Sequence, residues 1–399
     1  MIDANYNLAP QLTERLKRYQ NMAALIGLVG LALTGFGYFS AGAQQFLRSY
    51  LVGWVFWTGA GLGSLGLLMV GHLTGGSWST IVRRPLEAGS RTLYIMLLLF
   101  FPIALGAGVL YEWADPAKLA VDKVIQDKHA YLNIPFFQAR WVIYMILWMG
   151  MTYLLNKWSY QEDGERTTKY ALKMEYLSGP GLVLFFLTVT FASVDWIMSL
   201  DPHWFSTIYG FYLAVSQGLS ALALIVFSLV ILGGFAPMDH VITKKHLHDL
   251  GKLLFALTML WAYLNFSQLI IIWAGNLPEE IPFYVRRLNG GWEWVGGGLL
   301  LFHFIFPFFL LLSQGIKKNP KTLRWVAIWL VLIRVVDVIF QIEPTFSRGD
   351  FNIHWLDLAA PIGLGGVWFA LFFWQLPKYA ILPVGSPDLE KALNHGRDH

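Results

Sequence analysis

Two stretches of the chain carry acidic residues and a proline at the same spacing. Residues 191–206 read FASVDWIMSLDPHWFS and residues 333–347 read IRVVDVIFQIEPTFS. Both contain Asp-x5-[Asp/Glu]-Pro near the end of an apolar segment. Apolar surroundings penalise an ionised carboxylate, so such a group can exchange protons closer to neutral pH than one in water. The pattern predicts either proton chemistry or structural ion pairs at these two places.

The first acid of each motif has different neighbours in its own segment. Arg334 lies three residues before Asp337 on one helix face, so the two side chains can pair directly. That pair either neutralises itself and fixes the helix, or takes part in a proton path or a contact with a quinone ring. Asp195 has no cation at helical spacing in its segment, which makes it the sharper candidate for proton exchange.

The second acid of each motif precedes a proline. Asp201-Pro202 and Glu343-Pro344 most simply end their helices, because the residue before proline disfavours the helical conformation. His203 follows the first motif. It can accept a proton from a bound hydroquinone, or it is a surface histidine beside Trp204.

The other polar residues in or near apolar segments form two sets. The candidates for a quinone or proton site on the outer side are Asp195, Asp201, His203, Glu112, Glu293, Arg334, Asp337 and Glu343. The candidates for a proton path between the two sides are Gln217, Tyr263, Gln268, His303, His72 and Arg91. The alternative for the second set is ordinary hydrogen bonding between helices.

Metal and haem ligands are not predicted. The chain has no cysteine, which excludes thiolate-held iron–sulfur clusters and covalent c-type haem. His72 and His303 fall at different depths, so they do not make a pair of axial haem ligands. His240, His246 and His248 share one loop with lysines and are interpreted as interfacial contacts rather than zinc ligands.

The elements that must position these residues are long apolar helices. Of 399 residues, 56% are hydrophobic and only 14% charged, against about 25% charged in soluble domains. This composition excludes a water-soluble enzyme and predicts an all-α polytopic membrane protein with ten transmembrane helices. The predicted spans are residues 22–42, 50–71, 92–111, 137–156, 181–200, 208–233, 252–275, 292–314, 323–341 and 356–376.

The basic residues indicate an orientation. The N-terminal segment, the tail and alternate loops hold 20 of the 29 Lys and Arg, the opposite loops hold 8, and Arg334 lies within a span. Because cytoplasmic loops are rich in Lys and Arg, both termini are predicted to be cytoplasmic. Residues 8–20 are expected to form a short amphipathic segment on the inner surface.

Four matches in the same order predict an internal duplication. They are the acidic motifs, Ile134-Pro135-Phe136 with Ile281-Pro282-Phe283, Gly75-Gly76 with Gly233-Gly234, and residues 87–91 with residues 248–252. Spans 2–5 and 6–9 would be two four-helix bundles in the same orientation. The predicted domains are 1–49 (interfacial segment and first span), 50–207 and 208–355 (the bundles), and 356–399 (last span and tail).

The first acidic motif also carries a resemblance. ASVDWIMSLDPHWFS, followed by Gln217-Gly218-Leu219-Ser220, resembles the NrfD/PsrC-like family of membrane subunits. Residues 250–287, LGKLLFALTMLWAYLNFSQLIIIWAGNLPEEIPFYVRR, and residues 290–304, GGWEWVGGGLLLFHF, support the same assignment. Within the family, the chain is most similar to the second quinone-binding-type subunit of bacterial alternative complex III, a quinol:cytochrome c oxidoreductase.

The resemblance implies a respiratory role in the bacterial inner membrane. Such subunits anchor iron–sulfur and c-type haem subunits, work beside a longer paralogue, and in several cases bind quinol or menaquinol near the outer face of the first bundle. The chain itself would bind no metal or haem, and no nucleic acid is expected as a partner.

Three hypotheses follow, with a fourth outside the family. The chain contacts quinol and passes electrons to an iron–sulfur partner, or it conducts protons, or it is an architectural paralogue that only holds other subunits. The alternative outside the family is a free-standing secondary transporter, although transporter repeats usually contain broken helices at mid-membrane.

Overall fold

The computed structural model describes residues 6, 8–347 and 350–396, and this part of the chain is all-helical. It contains no β-strand, only an isolated bridge between Gly291 and Asp350. Arg348 and Arg397, two of the basic residues counted for the orientation, lie outside the described residues.

Ten long helices build the fold and are numbered here in chain order. They are α1 (Pro10–Ala41), α2 (Ala43–Thr74), α3 (Ser77–Arg91), α4 (Ile134–Glu165), α5 (Thr168–Trp196), α6 (Tyr209–Leu232), α7 (Lys244–Gly275), α8 (Trp292–Leu312), α9 (Pro320–Phe346) and α10 (Leu356–Gln375). Shorter helical segments connect several of them.

Eight of the helices in the described part are long and apolar enough to cross a membrane. They are all of the ten except α3 and α4. The polytopic, all-α membrane architecture predicted from the sequence is therefore confirmed at this level. α4 covers the predicted fourth span, but it is rich in Trp and Tyr, which lowers its mean hydropathy.

The predicted third span is a broken element. Helix α3 begins at Ser77, well before residue 92, and the chain bends by 41° between Ser77–Met96 and Leu98–Leu105. Pro102 lies in the second piece, and it lacks the N–H that would bond to Leu98 O, the carbonyl just after the bend. If the bent pair counts as one span, the described residues hold up to nine.

Two other boundaries differ from expectation. The predicted amphipathic segment at residues 8–20 is not a separate element, because α1 runs unbroken from Pro10 to Ala41. Glu343-Pro344 does not end its helix either, since α9 continues to Phe346. Proline is tolerated there because the helix has only two more residues and few backbone bonds remain to be lost.

Helices α2 and α6 form the centre of the molecule. In the most apolar stretch of α2, 94% of the residues are buried, compared with 28% in α1. The two helices touch through their backbones: a Cβ atom at Gly63 would lie 2.1 Å from the carbonyl oxygen of Gln217. Small residues allow this approach, which is how helices pack when lipid supplies no hydrophobic driving force.

The other helices surround this centre in two groups. α3 and α5 pack on α2, and α4 packs on α5; we call α2–α5 the first group. α7 and α9 pack on α6, and α8 packs on α7 and α9; we call α6–α9 the second group. Helices α6–α9 cover the predicted spans six to nine, whereas α3 ends before the predicted third span, residues 92–111, begins. The two bundles and the duplication stay predictions.

The flanking helices α1 and α10 pair with each other beside α2. Their contact is also backbone to backbone, with Gly27 and Gly30 of α1 against Gly363 and Gly366 of α10. A Cβ atom at Gly366 would lie 2.2 Å from the backbone nitrogen of Gly27. Only glycine fits at this crossing.

The residues after α10 fold over one end of both groups, which we call the basic end. Ile381 N donates to Tyr6 O (3.0 Å), and Gly385 N donates to Asp163 Oδ1 in the first group (3.1 Å). His395 Nε2 lies 2.8 Å from Asp249 Oδ2 in the second group. The described ends of the chain therefore share one end of the molecule. The opposite, distal end carries the loops that follow α5 and α9.

Candidate functional site

A polar cleft of about 680 Å³ opens at the distal end. It collects three predicted outer-side candidates, namely Glu112, Asp201 and His203. The other charged residues that line it are Asp115, Lys118 and Arg286. α5 stops at Trp196, and one 3-10 turn, Met198–Leu200, turns the chain so that Asp201 and His203 reach the cleft.

The predicted candidates in this cleft all have ionic partners. His203 Nε2 lies 2.8 Å from Asp122 Oδ2, and its side chain is 47% exposed. Although partial burial favours the neutral acid, the backbone N–H of Ile125 and the nearby His203 hold the pKa of Asp122 below its usual value. Glu112 pairs with Lys118 at the surface. The sequence interpretation of His203 as a surface histidine therefore fits its exposure.

A second cleft of about 450 Å³ adjoins the first and shares Asp201 with it. It is mainly apolar, and its walls include Leu132, Val194, Met198, Pro202, Trp204 and Phe205. Lys128 stands at its edge, where its ammonium donates to Pro202 O (2.5 Å). Partial burial lowers the pKa of Lys128, and the negative charge of Asp201 only partly offsets this.

Two buried polar atoms belong to residues that line this apolar cleft. The indole Nε1 of Trp204 finds no hydrogen-bond partner in the described part of the chain. The hydroxyl of Tyr131 forms no well-aligned hydrogen bond there, but it lies beside the Asp195 carboxylate and the Tyr144 hydroxyl. Buried donors are normally satisfied, so orphaned ones mark a place where a ligand or water can bind. The cleft thus offers an apolar slot with two polar groups, the arrangement that suits a flat ring carrying oxygens.

Directly behind Tyr131 lies a buried ion pair that the sequence interpretation missed. Arg140 of α4 contacts both carboxylate oxygens of Asp195 (2.8–3.1 Å), and Tyr144 OH donates to Oδ2 (2.8 Å). The guanidinium also donates to Tyr131 O (2.9 Å) and lies 3.8 Å from the centre of the Tyr131 ring. Asp195 is 1% exposed and lines neither cleft.

This pair changes the interpretation of Asp195. The carboxylate has a cation after all, 55 residues away in sequence. No hydrogen bond or ion pair among the described residues joins Asp195 to His203. The sequence contains a pattern that could have drawn attention to this arginine. The matched Ile-Pro-Phe motifs at residues 134 and 281 are each followed by an arginine at the same distance, Arg140 and Arg287.

Arg287 is fully buried but holds no carboxylate in the part of the chain described. It donates to the carbonyl oxygens of Phe283 (2.9 Å), Phe340 (3.2 Å) and Gln341 (2.7 Å). Pro344 has no N–H to offer the carbonyl four residues earlier, so Phe340 O is free for this arginine. Burial lowers the pKa of Arg287 to about 10, which keeps it charged at neutral pH.

The second group contains its own buried polar cluster around Asp337. Arg334 pairs with Asp337, as their spacing predicts. Tyr212 OH (2.8 Å) and Trp261 Nε1 (3.0 Å) donate to the same carboxylate, and Arg334 Nε reaches Ser220 Oγ (3.3 Å).

His303 lies against this cluster. Its ring centre is 3.8 Å from that of Trp261, and neither ring nitrogen has a partner in the described residues, although the side chain is fully buried. The histidine sits in a π-helical turn, Leu300–Ile305, just before Pro307. Such turns occur where an α-helical ladder is interrupted, and often at functional sites.

The remaining path candidates do not join one route. Tyr263 is 64% exposed on the outside of α7, and Gln268 is tied to Ser206 (3.2 Å) and Tyr284 (3.3 Å) near the distal end. Gln217 is buried between α2 and α6. Among the residues predicted to form the path, only His303 lies against the polar cluster around Asp337.

The last two path candidates lie at the basic end. His72 lines a cavity of about 250 Å³ with Arg83 and Glu162. Arg91 bonds to Tyr160 and to Glu87 O (3.2 Å). Both are far along the chain from the distal clefts, and each belongs to the first group.

Two predicted outer candidates have structural partners outside the clefts. Glu293 Oε2 accepts a hydrogen bond from Gly291 N (2.8 Å) at the start of α8. Glu343, fully buried, forms an ion pair with Arg48 of α2 (3.3 Å). The sequence count placed Arg48 and Arg140 in outer loops, but both lie within helices.

In the part of the chain described, no group of three or more His, Asp and Glu is placed to hold a metal ion. No protein-family model matches the chain, and no curated protein is similar to it.

Proposed function

We propose that the chain is a membrane subunit of a respiratory quinol:electron-acceptor oxidoreductase, of the NrfD/PsrC-like type, and that the apolar distal cleft contacts the quinol ring. The observation that carries the proposal is an apolar slot lined by Trp204, whose buried Nε1 has no hydrogen-bond partner among the described residues, and by Tyr131, whose hydroxyl lies beside Asp195 and Tyr144. A hydroquinone has a flat apolar ring and two oxygens that can meet such groups.

The proposed reaction divides between this chain and its partners. Oxidation of a hydroquinone to a quinone releases two electrons and two protons. The chain has no cysteine, so the electrons would pass to iron–sulfur and c-type haem centres of partner subunits. Its own residues would orient the ring, through Tyr131 and Trp204, and the protons would leave at the edge of the cleft, beside Lys128 and the Asp201–Arg286 pair.

The finer topology belongs to the same proposal. We propose ten spans, counting α4 and the bent element that begins with α3 (Ser77–Met96 and Leu98–Leu105) together with the eight apolar helices. The basic end would face the cytoplasm of a bacterium, in agreement with the count of Lys and Arg. The distal clefts would then face the outer side, beside an extramembrane partner and a longer paralogue.

The test measures quinone binding by the purified complex. Tyr131→Phe and Trp204→Phe should each weaken binding of a photoreactive menaquinone analogue about tenfold, the loss expected from one hydrogen bond of about 1.4 kcal/mol. Tyr263→Phe and Trp294→Phe are matched controls, because both side chains are largely exposed on the surface. Equal labelling of all four variants, or labelling only on another subunit, would refute quinol contact here.

A second candidate function is proton conduction in the second group. The observation that favours it is His303, buried without a partner next to the Asp337 cluster. Asp337→Asn should uncouple proton movement from electron transfer in reconstituted vesicles while electron transfer continues. Unchanged coupling would leave an architectural role. Purification as a lone, stable chain without haem or iron–sulfur subunits would instead favour a free-standing transporter.

A further inference from the structure

The second acids of the two sequence motifs each form an ion pair with the other helix group. Asp201 follows α5 of the first group, and its carboxylate lies 2.6 Å from Arg286 Nη1, which precedes α8 of the second group. Glu343 lies in α9 of the second group, and its carboxylate is 3.3 Å from Arg48 Nε in α2 of the first group, an ion pair without a well-aligned hydrogen bond. The two pairs therefore cross the boundary between the groups in opposite directions.

The arginines do not occupy matching positions in the two halves of the sequence. Arg48 lies in the first turns of α2, whereas Arg286 lies in the connection between α7 and α8. The two acids occupy matching positions in the two sequence motifs, whereas the two arginines do not. The two pairs therefore make the same kind of contact, a charged contact between the groups at the distal end, with cations from different elements.

Both pairs border the polar cleft. Asp201 and Arg286 line it directly. Thr345 and Phe346, which follow Glu343, line its other side, and the guanidinium of Arg48 lies over the Phe346 ring (6.0 Å). A change in either pair would move a wall of the cleft.

We propose that Asp201–Arg286 and Glu343–Arg48 form a two-point clamp that holds the two helix groups together at the distal end and sets the width of the polar cleft. The four side chains are positioning residues in this role. The Glu343–Arg48 pair is nearly shielded from water, whereas the Asp201–Arg286 pair is partly exposed, with 34% of the Arg286 side chain accessible. The Asp201–Arg286 pair is hydrogen-bonded (2.6 Å), whereas Arg48 and Glu343 attract each other only by charge, so we expect each pair alone to hold the groups incompletely. This inference is independent of what the cleft binds.

The chain allows a direct measurement because it contains no native cysteine. Spin labels at Val121→Cys and Leu288→Cys, both well exposed and on opposite groups, report the separation across the cleft by pulsed electron paramagnetic resonance. The otherwise unaltered chain should give one narrow distance distribution. Asp201→Asn with Glu343→Gln should add a population at longer distance, and Arg286→Gln alone should add a smaller one.

Charge exchange separates a clamp from any other role of these acids. Asp201→Arg combined with Arg286→Asp should restore the narrow distribution. Lys118→Gln is the matched control, because its pair with Glu112 lines the same cleft but stays within the connection between α3 and α4; it should leave the distribution unchanged.

An unchanged distribution in the Asp201→Asn/Glu343→Gln protein would overturn the clamp, as would equal broadening in Lys118→Gln. If that double variant does not fold, the partly exposed Arg286→Gln decides alone: no longer-distance population would overturn the proposal. Failure of the exchanged pair to restore the distribution would also count against it.

Discussion

The buried Arg140–Asp195 pair makes a quantitative prediction for stability. Replacing Arg140 with Gln removes all three of the guanidinium's contacts with Asp195 and leaves a buried carboxylate with only tyrosine hydroxyls, those of Tyr144 and Tyr131, as donors. Breaking a buried pair from one side costs about 3–5 kcal/mol. Asp195→Asn also leaves a buried charge, that of Arg140, but it should cost less, about 1–3 kcal/mol. The amide oxygen still accepts from Arg140, whose guanidinium also keeps its hydrogen bond to Tyr131 O and its contact with the Tyr131 ring.

The double variant Arg140→Leu/Asp195→Leu tests the same reasoning from the opposite direction. It removes both charges and fills much of the space with apolar atoms, so it should be more stable than Arg140→Gln. The free energy of unfolding of the purified chain in bicelles, measured by steric trapping, gives all three values.

Arg287→Gln is the matched control for a buried arginine without a carboxylate. It leaves up to three carbonyls unsatisfied but strands no charge, so we expect about 1–3 kcal/mol. If Arg287→Gln costs as much as Arg140→Gln, or if the double leucine variant is the least stable of the set, the stranded-charge argument is wrong.

Three further changes test other parts of the structure. His303→Leu should raise the free energy of unfolding by about 1 kcal/mol, because both ring nitrogens are buried without partners; a loss of stability in the same unfolding assay would mean that the ring is hydrogen-bonded. Asp122 has a pKa below its ordinary 3.8 in the folded protein, so its stabilising contribution is present above that pH and is lost as the pH falls through the folded pKa; melting curves of the parent and Asp122→Asn should therefore differ at pH 6 and converge at low pH. Gly385→Ala should release the segment after α10, because a Cβ atom there would lie 2.0 Å from Glu162 O; limited proteolysis should cleave this segment faster than in Gly150→Ala, where a Cβ meets no neighbour.

The helices were predictable because their apolar runs are long, and the limits of α6 and α10 lie close to the predicted ones. The third span was not, because Pro102 breaks a run whose composition alone looks continuous. Mean hydropathy is an average over many residues, so it does not reveal that a single proline lacks a backbone N–H.

Within the site, the spacing of residues predicted the ion pair within one helix but not the contacts between helices. Arg334 and Asp337 share a helix face, so three residues of separation were enough. Arg140 meets Asp195 only because α4 packs on α5, and Tyr263 faces outward only because α7 presents its other side to α6. Which face a span turns to its neighbours depends on packing, and apolar faces look alike to lipid and to protein.

The glycine crossing of α1 and α10 has a consequence for how the chain is made. α1 is synthesised before the other helices, but Gly27 cannot make its contact with Gly366 until that residue is synthesised, 339 residues later (366 minus 27). At roughly 5–20 residues per second, that delay is about 20–70 s. During this time α1 has few protein contacts and is held by its own affinity for lipid. Its 32 unbroken helical residues and high hydropathy suit a helix that must stay inserted alone before its partner arrives.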